Sequence, residues 1–208
     1  MKLTKRDLEI LQFINACGYC NVLQLGKRFS MKWWIVYRRM SRLINAGFAV
    51  HRRIYFEGKG VYYLTSHGAG YTDLPPIDGI SKGGYDHQIL LIDLVLKLQD
   101  IHPEVAWISE RHLKQQQFFY GVGKLGHVAD GLLVFPDNRK VAIELELTQK
   151  SRLRLEKILR GYGAKIEIDE VWYFCSDNLI SAVSDLSKNK TYIKVFSHKE
   201  FINAQYRR

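Results

Sequence analysis

Apolar residues recur at three- and four-residue spacing early in the chain and at two-residue spacing in several later stretches, so helices lead and strands follow. In LTKRDLEILQFINACG the apolar positions 8, 10, 11, 13 and 14 predict a helix, with Thr4 placed as N-cap and Asp7 three residues on. VLQLGKRF predicts a short second helix. Ser30 is placed to cap a third, MKWWIVYRRMSRLINAG, which Gly47 closes as a glycine just past the end. At ~100° per residue, Trp33, Val36, Met40, Leu43 and Ile44 share one face of that helix. Trp34, Ile35, Arg38 and Arg42 lie opposite, flanked by Lys32 and Arg39.

FAVHRRIYF and VYYLT flank EGKG, which predicts a strand, a tight turn and a strand. Three helices followed by a basic hairpin form the order of a winged helix-turn-helix, whose third helix is shaped to enter a major groove. Arg52, Arg53 and Lys59 then bring the wing against the phosphate backbone. The stretch GAGYTDLPPIDGISKGG, residues 68–84, concentrates Gly, Pro, Ser and Asp and predicts a linker.

From Tyr85 the pattern becomes mixed. Helices are expected at HQILLIDLVLKLQDI, SRLRLEKILRGY and LISAVSDLS, with strands at VAWIS, VADGLLVF, RKVAIELEL, EVWYFCS and TYIKVF, and a polar loop between the first two strands. The economical arrangement is α/β (α+β), with a winged helix over 1–67, the linker over 68–84, and a mixed-sheet domain over 85–208.

Charge sharpens this division. Residues 1–70 hold 12 Lys or Arg against 3 Asp or Glu, whereas residues 71–208 hold 19 against 18. Nearly all of the net +10 therefore sits on the expected winged helix, as suits a part that meets the phosphates of double-stranded DNA. The absence of a long apolar stretch and of a signal-peptide core points to a cytoplasmic protein with no membrane partner. Cys17 and Cys20 form a lone CxxC without a second ligand pair, which reads as helix-end packing rather than a metal or redox site.

The strand KVAIELELTQK raises the chemical question. Glu144 and Glu146, two residues apart, project to one side of a strand that otherwise reads as interior. If Pro136, Asp137 and Asn138 form a three-residue hairpin loop, Asp130 sits opposite Glu144 on the same face; a four-residue loop turns it away unless Gly131 bulges. Three buried carboxylates together repel unless paired, and a hard cation such as Mg²⁺ or Mn²⁺ would resolve the repulsion and suit phosphodiester cleavage. Lys150 is placed to orient a water or counter developing charge, and Glu110 is a fourth candidate acid. The competing expectation is an acidic strand face lying in water, with Lys150 an ordinary surface residue.

HVADG, a hairpin, E-x-E-x3-K and a helix reaching Tyr162 resemble the PD-(D/E)xK nuclease superfamily. The whole chain, from LTKRDLEIL through YYLT to Trp107-x2-Glu110 and ELELTQK, resembles the replication-relaxation family of plasmid mobilisation proteins, which includes MobC-type relaxases. The resemblance implies a restriction-endonuclease-like second domain in which Asp130 and Glu144 ligate the metal, with Glu110 or Glu146 assisting. It implies partners among mobilisation or replication proteins, and nicking of a recognised site. Two positions depart from the pattern: Glu146 stands where a lysine is usual, and Ala129 where a proline is usual. Lys150 or Lys157 would have to supply the ammonium. The alternative is a non-cleaving DNA-binding accessory or regulator whose second domain serves homodimerisation or partner recruitment. A two-histidine, tyrosine relaxase is disfavoured because His87, His112 and His127 are isolated; Tyr120 and Tyr162 are the tyrosines considered for a covalent DNA adduct.

Overall fold

A computed structural model describes residues 1–119, 127–165 and 167–204, and the chain divides into two compact units, Met1–Leu96 and Lys97–Arg208. The mixed α+β class expected from the sequence is found. No helix among the described residues is long and apolar enough to cross a membrane.

In the first unit, α1 (Lys5–Cys17) begins at a capping box in which Thr4 and Asp7 satisfy each other's backbone amides. Burial of Asp7 works against its ionisation. The Thr4 hydroxyl and amide and the Arg39 guanidinium, 2.5 Å away, outweigh burial and hold this carboxyl below its ordinary value. A two-residue strand β1 (Cys20–Asn21) leads to α2 (Val22–Arg28), where Asn21 and Gln24 make a second capping box. Then α3 (Trp33–Asn45) ends before Gly47, whose φ of 77° only glycine adopts without strain.

Ser30 does not cap α3. It adopts φ 52° in the turn before the helix, and Lys32 occupies the cap position without a side-chain hydrogen bond. The wing is β2 (Ala49–Arg52) against β3 (Val61–Leu64), with β1 on the far side of β3. Its connection is the longer loop 53–60 instead of a tight turn. After α4 (Ser66–Ala69) the chain is pinned, since Asn15 Nδ2 donates to Thr72 Oγ1 and Leu74 O, both at 2.6 Å. Gly68 is required there, because a Cβ at this position would meet Phe48 O at 1.9 Å. Residues 68–84 therefore pack on the first unit rather than spanning freely, and the unit continues into α5 (Lys82–Ile101).

The second unit carries β4 (Ala106–Ser109), α6 (Glu110–Phe119), β5 (Gly131–Val134), β6 (Lys140–Glu146), α7 (Arg152–Gly163), β7 (Glu170–Cys175), α8 (Asp177–Ser187), β8 (Ile193–Ser197) and α9 (His198–Asn203). The sheet runs β4-β5-β6-β7-β8, antiparallel as far as β6 and parallel beyond it. The expected polar loop after β4 is in part α6: ERHLKQQQ is rich in good helix formers, and Glu110 pairs with Lys114 one turn on at 2.6 Å. One face of the sheet is covered by Leu155, Ile158, Leu159 and Tyr162 of α7 and Leu179 and Val183 of α8. That covered face also holds Ala142, Val171, Tyr173 and Cys175.

Candidate functional site

The β5–β6 register answers the first half of the acidic question. Phe135 N donates to Arg139 O at 2.9 Å and Asn138, at φ 67°, turns the chain, so the three-residue loop forms. Gly131 pairs with both Ser109 and Ile143, so Glu110, Asp130 and Glu144 stand in line one step beyond the paired residues. The ladder ends at that point, and Asp130 Oδ2 accepts from Leu145 N at 2.8 Å.

The second half is answered by the partners of the acids. Glu144 and Glu146 are only 2% and 4% exposed, so the alternative of a water-bathed acidic face does not hold. Each has its own partner from the protein. His127 Nε2 lies 2.6 Å from Glu144 Oε1, and the Tyr162 hydroxyl donates to that same oxygen. Lys150, four residues beyond Glu146, reaches back to form an ion pair with it. Burial raises the Glu144 carboxyl above its ordinary value and the Asp130 charge adds to the rise, while His127 and Tyr162 oppose it. Lys165 Nζ donates to His127 O at 2.9 Å and lies 5.0 Å from the Tyr162 ring centre, tying the His127 backbone to the loop after α7.

A cleft of about 540 Å³ borders this cluster, lined by His127, Arg154, Lys157, Tyr162 and Lys165. Lys157 thus lines the cleft wall. A second cleft of about 340 Å³ takes in Glu146, Lys150, Leu155, Leu179 and Asp185.

The donor set decides whether Mg²⁺ or Mn²⁺ fits. Among the described residues no three His, Cys, Asp or Glu side chains converge as a group able to hold a metal ion. Glu144 Oε1 is occupied by two protein groups, Glu146 by an ammonium and Asp130 Oδ2 by a backbone amide. Glu110, the fourth candidate, is turned to Lys114. In this arrangement Asp130, Glu144 and Glu146 do not fit a divalent ion. One group in the neighbourhood has no partner: the Tyr173 hydroxyl is buried, lacks a hydrogen bond among the described residues, and belongs to the residue paired with Glu144.

In the first unit, Lys32, Trp34, Arg38 and Arg42 of the α3 region are exposed, as are Arg52 on β2 and Arg53 and Lys59 in the wing loop. Arg39 is not available in the same way, because its guanidinium is committed to Asp7. Trp33 departs from the inner-face expectation and is 56% exposed; the core covers α3 only from Val36 onward, with Met40 and Leu43. Tyr37 and Phe56 are also exposed, the latter in the wing loop. Hydropathy marks neither as exposed: Tyr37 shares the helical spacing of core residues, and Phe56 ends the expected strand FAVHRRIYF. Cys17 and Cys20 are buried and in no disulfide, and burial pushes the Cys20 thiol well up, which makes it unreactive. Tyr162 is buried against Glu144, whereas Tyr120 lies outside the described residues.

No family model matches the chain. No curated protein matches it either. Among solved structures, PigF with SAH is similar at 13% identity and a TM-score of 0.22, over 94% of this chain and 62% of that one. A likeness at that level carries no argument, and this chain spans under two thirds of that chain's length.

Proposed function

We propose that this chain is a DNA-binding protein of mobile-element mobilisation or replication whose first unit grips a duplex, with α3 directed to the major groove and the wing to the backbone. One observation carries this reading. Lys32, Arg38, Arg42, Arg52, Arg53 and Lys59 are all exposed, while α3, β2 and β3 contain no acidic residue. A predominantly cationic exposed surface on a helix-turn-helix framework, with Glu57 in the wing loop as its acid, favours phosphate neutralisation over a merely solvated face. The resemblance of the sequence to the replication-relaxation family supplies the biological setting.

The test is fluorescence anisotropy on labelled duplex fragments over a range of salt. Affinity should fall steeply, with a log–log slope near −0.9 for each phosphate neutralised. A flat salt response would remove the DNA reading and leave a protein-interaction module.

A second reading is metal-dependent nicking, supported by the register alignment of Glu110, Asp130 and Glu144 alone; it requires His127, Tyr162 and Lys150 to release Glu144 and Glu146 before an ion could bind. On this reading supercoiled plasmid with Mn²⁺ is converted to open circles, and Glu144→Ala abolishes conversion while DNA affinity is kept. Binding with no conversion at any divalent ion leaves the second unit a structural or recruiting domain.

A further inference from the structure

The first turn of α3 is chemically unusual for a helix that reads a duplex. The N-terminal residues of a recognition helix are those that reach base edges, and that reading uses side chains with paired donors and acceptors. Here those positions are Trp33 and Trp34, with Tyr37 one turn on, exposed by 56%, 49% and 45%. An indole offers a single N–H donor and no acceptor.

The three rings are held but not covered. Trp33 meets Trp34 and Tyr37 edge-to-face, with ring centres 5.7 and 5.8 Å apart and planes at 89° and 90°. Such pairs fix ring orientation without sandwiching. Lys32 Nζ stands 5.0 Å from the Trp34 ring centre, and Arg38 and Arg42 are exposed farther along the helix. Three aromatic surfaces among cations, with no acid on the helix, are complementary to a ligand that is both flat and polyanionic.

A paired duplex buries the faces of its bases; an unpaired or unstacked segment exposes them. We infer that the N-terminal turn of α3 is a stacking platform for exposed bases, so that the first unit binds DNA containing an unpaired segment in preference to an intact duplex. This rests on the DNA-binding reading above and narrows its substrate class. The platform supplies stacking that tolerates any base, while Lys32, Arg38 and Arg42 hold the phosphates.

The experiment compares three labelled DNAs at one salt concentration, using the full chain: a duplex, the same duplex with a central run of mismatches, and one of its strands. The mismatched DNA should bind at least about fivefold tighter than the duplex, since aromatic stacking contributes roughly 5- to 150-fold per base. The double change Trp33→Ala/Trp34→Ala should remove that preference while duplex affinity changes much less. Trp33→Phe/Trp34→Phe should retain most of it, which separates stacking from loss of fold; both rings are exposed, and circular dichroism checks that helix content is unchanged. Equal affinity for the three DNAs, or an equal loss on all three in the alanine variant, overturns the inference but leaves the DNA-binding reading in place. Loss of self-association by sedimentation, with DNA discrimination unaltered, overturns it in favour of a contact between copies. Failure of every DNA to bind in a salt-dependent way overturns the DNA-binding reading itself and this inference with it.

Discussion

Tyr162 and Glu144 are joined by a hydrogen bond that fastens α7 to the central strand β6 through a carboxylate 2% exposed. His127 meets the same oxygen from the segment before β5, so two separate pieces of chain converge on one buried acid. Tyr162→Phe removes the donor and leaves the ring in place. A hydrogen bond to a charged group contributes about 1.5–3 kcal/mol, and a loss of that size is expected as a lower urea midpoint with unchanged m. A change under about 0.5 kcal/mol would show that the bond contributes no net stability.

The pH response should carry the signature of Glu144. Burial places its folded pKa above the unfolded one, with His127 and Tyr162 opposing and the Asp130 charge assisting the rise. The proton is thus held more tightly in the native state. Its stabilising contribution is complete below the ordinary glutamate range and is lost as pH rises through the folded value. Glu144→Gln cannot ionise, so the wild-type melting temperature should fall relative to the variant as pH is raised from about 4. Parallel profiles for the two proteins would refute this assignment.

Lys150→Ala strands the buried Glu146 carboxylate. Breaking a fully buried pair costs about 3–5 kcal/mol, and since Lys150 is 23% exposed a smaller loss of about 1–3 kcal/mol is expected. Adding Glu146→Gln to that variant should recover part of the loss, giving a favourable coupling energy in a double-mutant cycle. Strict additivity would mean that the two side chains do not interact in solution.

The three arginines of α3 should behave differently toward DNA. Arg38 and Arg42 are exposed, whereas Arg39 is held by Asp7 at 2.5 Å. Replacing Arg38 or Arg42 with Ala should reduce the salt slope by about 1 each. Arg39→Ala should leave the slope nearly unchanged and instead lower stability by about 1–2 kcal/mol, because the Asp7 carboxylate loses its ion partner. If Arg39→Ala alters the slope as much as Arg38→Ala does, the Asp7 pair must open when DNA binds.

Much of the architecture was legible because periodicity and turn chemistry agree. Asn138 accepts the positive φ that a three-residue loop requires, and this alone brings Asp130 opposite Glu144. What stayed hidden depended on tertiary partners. Nothing local says that Tyr162 and His127, 18 and 17 residues from Glu144, close on its carboxylate, or that Lys150 prefers Glu146 to solvent. Arg39 looked equivalent to Arg38 along the helix until Asp7, 32 residues earlier, took it. The helix at Glu110–Phe119 is hidden from hydropathy, by which its polar run resembles a loop, and only helix propensity marks it.

The change from antiparallel to parallel pairing at β6 bears on how the chain reaches its native state. Glu144 must find Tyr173, 29 residues along, across the α7 crossover, whereas the β2–β3 hairpin joins partners such as Arg52 and Val61 through the loop 53–60 alone. Closing the longer chain segment has the greater entropic cost and is slower. Burial of the β6 carboxylates is therefore tied to the slow, long-range closure rather than to local hairpin formation.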